Sequence, residues 1–152
     1  MVQSNTLKHY LIIGLIINLI ILLNSCDSDN AYLKVGEYHF VNETNYTITF
    51  PAGHERHNIA PKSTTVFLEK FNVRGKSGAE LSDFISPFFS VSTTNILNIK
   101  FDNTKCLLDV KTNDFHSIRN IKEFVPLKIG KDSYKFTYTF TEADYNRAVD
   151  CP

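Results

Sequence analysis

"YKFTYTF", residues 134–140, decides the fold class of this chain. Tyr134, Phe136, Tyr138 and Phe140 alternate with Lys135, Thr137 and Thr139, so an extended backbone puts four rings on one face and three polar groups on the other. This is the period of a strand with one buried side. Such a stripe fills the core of a small sheet more often than it displays a surface for stacking glycans or peptides, because aromatics bury the most area per residue. The stripe ends at Thr141, where "TEAD" has the spacing of a capping box with Asp144 in place of the usual Glu. A short helix over "EADYNRAV", 142–149, is expected to follow, with Cys151 just beyond it.

The same period recurs upstream. "EYHFVN" alternates Tyr38 and Phe40, "NYTITF" alternates Tyr46, Ile48 and Phe50, and the turn formers "NETN", 42–45, predict a hairpin between them. "PAGHERHNIAPKS", 51–63, reads as a polar connection with two prolines, and "TTVFLEK" as the next strand. "FNVRGKSGAE", 71–80, reads as a basic loop, and "LSDFISPFF", 81–89, as a short helix interrupted at Pro87. "ILNIKF" puts Leu97, Ile99 and Phe101 on one face, "DNTK" turns the chain, and "CLLDV" is expected to point Cys106, Leu108 and Val110 toward the core. Seven or eight short strands, without a solenoid repeat or a Gly-rich linker, predict a mainly β domain over 31–152. An antiparallel β-sandwich with a short C-terminal helix is the expected architecture, and a small β-barrel is the alternative.

Residues 1–25 follow other rules. After Lys8 comes "LIIGLIINLIILL", Leu11 to Leu23, apolar except for Asn18 and of the length of a signal-peptide core. A spanning helix needs ~20 apolar residues, more than this run supplies. Leu23-Asn24-Ser25-Cys26 resembles the lipobox of bacterial lipoproteins, although Asn24 is an unusual middle residue. The resemblance implies cleavage between Ser25 and Cys26, and a diacylglycerol group on the Cys26 thiol. Each buried methylene contributes about 0.8 kcal/mol, so two or three acyl chains anchor stably where one does not. Cys26 and the polar residues Asp27 to Asn30 then form a lipidated tether, 26–30. Acidic residues after the cysteine also resemble, in part, the surface-export signals of Bacteroidota lipoproteins.

Removing residues 1–25 leaves 127 residues, in which 15 Lys and Arg face 16 Asp and Glu. That is enough chain for one core, and its near-neutral balance argues against nucleic acid as a partner. Cys106 and Cys151 remain after Cys26 is acylated, and an oxidising compartment makes them candidates for a disulfide, with two unpaired thiols as the rival reading.

Four patterns bear on chemistry. "HERH", 54–57, spaces its His residues by three rather than the four a zinc-binding helix face needs, so no metal site is assigned, even with His39 or His116 brought near. "RGKSG", 74–78, contains Gly-Lys-Ser, but Lys70 stands where a phosphate-binding loop needs its first glycine. Lys70, Arg74 and Lys76 could meet an anionic glycan or a lipid head group, and a solvated loop is the simpler reading. No Gly-x-Ser-x-Gly turn exists. Carboxylate pairs such as Asp102 with Asp109, or Asp144 with Asp150, cannot be judged by spacing, and no cofactor is implied.

The lipobox, the opening "YHFVNETNYTITF" and the ending "YKFTYTFTEADYNRA" together resemble small uncharacterised lipoproteins of Bacteroidota. The resemblance implies a lipidated cysteine, a compact β-rich domain and a place in the cell envelope as an outer membrane lipoprotein, surface-exposed or periplasmic. It carries no activity with it. The expected function is non-enzymatic binding of a protein or glycan partner through the loops at 51–62 and 70–79. Rival readings are inhibition of a periplasmic or host hydrolase and, third, hydrolysis of an envelope glycan or lipid.

Overall fold

The structure is a computed structural model that describes residues 31–52, 55–88 and 97–152. The expected signal peptide, its cleavage site at Ser25 and Cys26 and the expected tether lie outside the described residues.

In chain order the elements are β1 (Ala31–Asn42), β2 (Ile48–Ala52), β3 (Glu55–Ile59), β4 (Thr64–Arg74), β5 (Ile99–Phe101), β6 (Lys105–Leu107), β7 (Val125–Gly130), β8 (Ser133–Phe140), α1 (Glu142–Arg147) and β9 (Val149–Asp150). They form two sheets, ordered β4-β1-β8-β7 and β3-β2-β5-β6-β9, and neither closes into a barrel. The molecule is a mainly β sandwich with one short C-terminal helix.

The aromatic stripe of β8 fills the space between the sheets. Phe136, Tyr138 and Phe140 are buried with Tyr38 and Phe40 of β1, against Ile48, Phe50, Ile99 and Phe101 of the second sheet. Phe40 is the hub: its ring centroid lies 5.3 Å from Phe67, 5.4 Å from Phe88 and 5.7 Å from both Phe50 and Phe124. Tilted and edge-on contacts dominate because ring quadrupoles favour them over face-to-face stacking.

Several expectations are corrected. "NETN" is a crossover between sheets rather than a hairpin, because β1 pairs with β4 and β8 while β2 pairs with β3 and β5. Buried Asn42 makes the turn: its Nδ2 donates to the carbonyls of Tyr46, Ile59 and Ala60, and its Oδ1 accepts from the Thr44 N–H and hydroxyl. The β1–β8 pair is parallel, from Val35↔Ser133 to Asn42↔Phe140, so the sandwich is not wholly antiparallel. The supposed polar connection at 51–63 contains β3, and β4 runs on through Phe71 to Arg74 before the basic loop begins. The helix expected over 81–89 is a single 3-10 turn, Leu81–Asp83.

In "CLLDV" Val110 is buried in the core as expected, but the β6 part is shifted by one residue. Cys106 lies opposite Lys100, on the outer face, and Leu107 lies opposite Ile99 and enters the core, while Leu108 is exposed. With a side-chain period of two, one residue of slip exchanges the faces. Cys106 is buried nonetheless, because it is disulfide-bonded to Cys151 with 5.1 Å between Cα atoms. The capping box at Thr141 forms as expected: Asp144 accepts from the Thr141 N–H while the Thr141 side chain caps the third helical residue.

Candidate binding site

The outer face of the second sheet concentrates hydrogen-bond donors. Strand alternation sends Ile48, Phe50, Ile59 and Ile99 inward, so Thr49, Arg56, Asn58 and Lys100 face out. The register sets Asn58, Thr49 and Lys100 side by side across three strands, and Arg56 opposite Pro51 one step along. Thr49, Phe50, Pro51, Arg56, Asn98 and Lys100 line a shallow dish of about 270 Å³, closed at one side by Asn103.

The two amides of this face are oriented by internal bonds. Asn58 Oδ1 accepts from the Thr49 hydroxyl at 2.8 Å, and Asn98 Oδ1 accepts from the Asp109 N–H at 2.8 Å. With both carbonyl oxygens occupied, both Nδ2 groups are left to donate outward. Neither Arg56 nor Lys100 forms an ion pair among the described residues. The neighbouring carboxylates are engaged elsewhere, Asp102 by the Thr47 N–H at 2.6 Å and Asp109 by Lys111 at 3.6 Å. The dish thus presents a guanidinium, an ammonium and the Asn98 amide N–H groups, with the Asn103 amide at its side and Asn58 on the neighbouring strand, a set that satisfies an anionic oxygen cluster.

A second polar cluster looks more like chemistry and is not. Buried Asp144 accepts from His116 Nδ1 at 2.8 Å, from the Thr141 N–H at 2.9 Å and from Arg147 Nη2 at 2.9 Å. Arg147 also donates to the carbonyls of Phe115 and His116, and the Tyr138 hydroxyl donates to the His116 carbonyl at 2.7 Å. Burial acts to raise the Asp144 pKa, but the His116 bond, the Thr141 N–H and the Arg147 guanidinium outweigh it and hold the carboxyl below its usual range. Burial drives the Tyr138 hydroxyl far upward, keeping it neutral and donating. A His–Asp pair orients a base in hydrolases, but no serine or cysteine hydrogen-bonds to His116 among the described residues. The cluster latches the 111–120 loop onto α1.

The remaining sequence candidates separate. Asp102, Asp109, Asp144 and Asp150 each have their own partner, Asp150 pairing with Lys105 at 3.6 Å, so neither suspected carboxylate pair forms a joint site. His54 lies outside the described residues, and His57 packs edge-on to Phe67 at 4.6 Å. His39 pairs with Glu37 on the first sheet. A larger cavity, about 840 Å³, is an apolar groove walled by Leu81, Ile85, Ile121, Phe124 and Pro126. Few polar groups line it, so it offers less to recognise than the smaller dish.

Sequence reasoning misses the dish because Thr49, Asn98 and Lys100 are outward positions of strands, and Arg56 and Asn58 lie in the stretch 51–63 that reads as a polar connection. The available signal was that Thr49, Arg56, Asn58, Asn98 and Lys100, the outward positions of three neighbouring runs, include no acid. No family model, curated protein or solved structure matches the chain.

Proposed function

We propose that this protein is a cell-envelope lipoprotein, anchored through Cys26, whose β-sandwich binds acidic glycan without chemical turnover. The observation that carries the binding assignment is the cationic dish, with Arg56 and Lys100 beside the Asn98 amide, whose carbonyl is already bonded, and with no carboxylate in its lining. An acidic glycan answers both of its features: carboxylate or sulfate oxygens for the donors, and a flat ring face for Pro51. The dish is smaller than the ~300–1,000 Å³ of an enclosing pocket, so it would grip one charged unit of a polymer rather than engulf a free molecule. The anchor rests on the Leu23 to Cys26 lipobox and the apolar run before it.

The test is binding of the full chain to polygalacturonate and dextran sulfate, with neutral dextran as control. Arg56→Ala and Lys100→Ala should each weaken acidic-polymer binding about tenfold or more, the worth of a charged hydrogen bond, with little change in melting temperature. Equal retention on neutral dextran, or indifference to both substitutions, would refute the reading. Loss of a lytic enzyme's activity on adding the protein would favour the inhibitor reading, and release of shortened glycan would favour an enzyme.

A further inference from the structure

The end of the sandwich where β1 begins combines cations with exposed apolar side chains. Ala31 lies opposite Arg74, the last residue of β4, and the Val35 N–H donates to the Asp132 carbonyl at 3.0 Å, which brings the β7–β8 turn to the same end. The Gly78 and Ala79 N–H groups both donate to the Asp132 carboxylate, clamping the loop that follows β4 onto that turn. The rim so formed displays Lys70, Arg74, Lys76 and Lys131, all exposed, and at the same end the exposed Leu33, on the sheet face of Lys70, Phe71, on the face of Lys34, and Ile129. Lys34 adds a fifth cation, held 5.1 Å over the Phe71 ring and 5.0 Å over that of Phe84.

Lys70, Lys76 and Lys131 form no ion pair among the described residues, and the acids near them, apart from Asp27 and Asp29 of the tether, are few. Asp132 is occupied by its two amides, Asp83 accepts from the Glu80 N–H, Glu69 is half-buried, and Glu80 is exposed at the margin. The far end of β1, ~36 Å away at strand rise, displays Glu43, Asp102 and Glu142 instead. The Ala31 end is therefore basic and partly apolar, whereas the Asn42 end is the more acidic one and mixes its acids with Lys62, which donates to the Glu43 carbonyl.

We propose that the basic rim seats directly on anionic lipid headgroups. The inference rests on lipidation of Cys26: five residue steps separate Cys26 from Ala31, so a fully stretched tether is at most ~18 Å long. The anchor thereby confines this end, rather than the acidic one, close to the bilayer surface. Headgroup attraction falls off within a Debye length, about 8 Å at physiological salt, which the tether readily lets the rim reach. Phe71, Leu33 and Ile129 would enter the interfacial layer while the lysines pair with headgroup phosphates.

The chain contains no tryptophan, so one introduced indole reports on one place. The experiment uses the full, membrane-extracted chain carrying Phe71→Trp, or Asn45→Trp at the acidic end, reconstituted into vesicles of brominated phosphatidylcholine with and without phosphatidylglycerol. Vesicle flotation is scored in parallel. The expected result is bromine quenching of the Phe71→Trp indole on anionic vesicles alone, reversed by 0.5 M salt at ~3–4 Å screening length, with Asn45→Trp unquenched. Adding Lys70→Glu and Lys76→Glu should lower the docked fraction steeply, each cation being worth roughly fivefold. A chain that floats but whose Phe71→Trp indole is not quenched overturns the docking and leaves the anchor standing. Quenching equal on both lipid compositions overturns the headgroup recognition. A chain that floats with neither vesicle overturns the Cys26 reading, and the docking falls with it.

Discussion

The two ends of β1 are built on different physics. At the Asn42 end, polar groups are buried and bonded to capacity: Asn42 holds the crossover by five bonds, and Asp144 holds His116, Thr141 and Arg147. The Cys106–Cys151 disulfide is joined to the same end, since the Cys151 N–H donates to Thr104 and the Asp102 N–H beside that turn donates to Thr47 in the crossover. At the Ala31 end, charged groups and apolar side chains face solvent, and the loop after β4 is tied down by the Asp132 carboxylate and by lysines that donate to the Ala79 and Asp83 carbonyls. Buried polar groups are costly unless fully satisfied, so such a network fixes one arrangement of the chain. The exposed Lys70, Lys76 and Lys131 and the apolar side chains of the Ala31 end belong to no such buried network among the described residues. One end specifies the fold, and the other is available for contact.

That contrast can be broken most directly at the disulfide. Replacing Cys106 and Cys151 together by serine opens a loop of 45 residues and should remove ~4 kcal/mol in the chain-entropy account, lowering the melting temperature by on the order of 15 °C. Thermal denaturation monitored by circular dichroism measures it, and an unchanged transition would mean the bond adds nothing at the rigid end. Asn42→Ala comes next. It strips bonds from the buried Ile59 carbonyl and from the Thr44 N–H and hydroxyl, at a cost of about 3 kcal/mol, whereas Lys70→Ala and Lys76→Ala at the other end should stay within about 0.5 kcal/mol. Urea titration of the three variants decides it. Comparable losses at both ends would erase the distinction.

The core was legible in the sequence because strand alternation needs no knowledge of topology. Tyr38, Phe40, Ile48, Phe50, Leu97, Ile99, Phe101 and the β8 stripe all face inward as their period of two requires. Which strands pair was not legible. "NETN" has hairpin chemistry, but its Asn42 side chain turns inward to bond three carbonyls of the second sheet's approach, a contact at separations of up to 18 residues that local pattern cannot carry. β3 was hidden because "ERHNI" is polar at Glu55, Arg56 and Asn58, and only Ile59 is fully buried among its described side chains. The parallel β1–β8 pair joins segments nearly a hundred residues apart, which no turn signal announces. The donor dish was illegible for the same reason, since it exists only once three strands lie side by side in register.

The finest difference between the ends is electrostatic and shows with acid. Asp144 titrates lower in the folded protein than in the unfolded chain, so the folded state binds its proton less readily. Its stabilising contribution is complete above the unfolded carboxyl value of ~3.9 and is lost as pH falls through the lower folded value. Glu69, on β4, has the opposite sign, because burial raises its pKa and acid therefore favours the folded state there. A single unfolding profile sums the two, so Asp144→Asn is compared with the parent chain by urea titration in steps from pH 6 down to pH 2. The stability gap between them should be constant above pH 5 and close progressively below pH 4, as the parent loses the ion pairs that the variant never had. A gap that stays constant to pH 2 would mean that the carboxylate's charge contributes nothing to the latch, leaving hydrogen-bond geometry alone to hold the loop at 111–120 against α1.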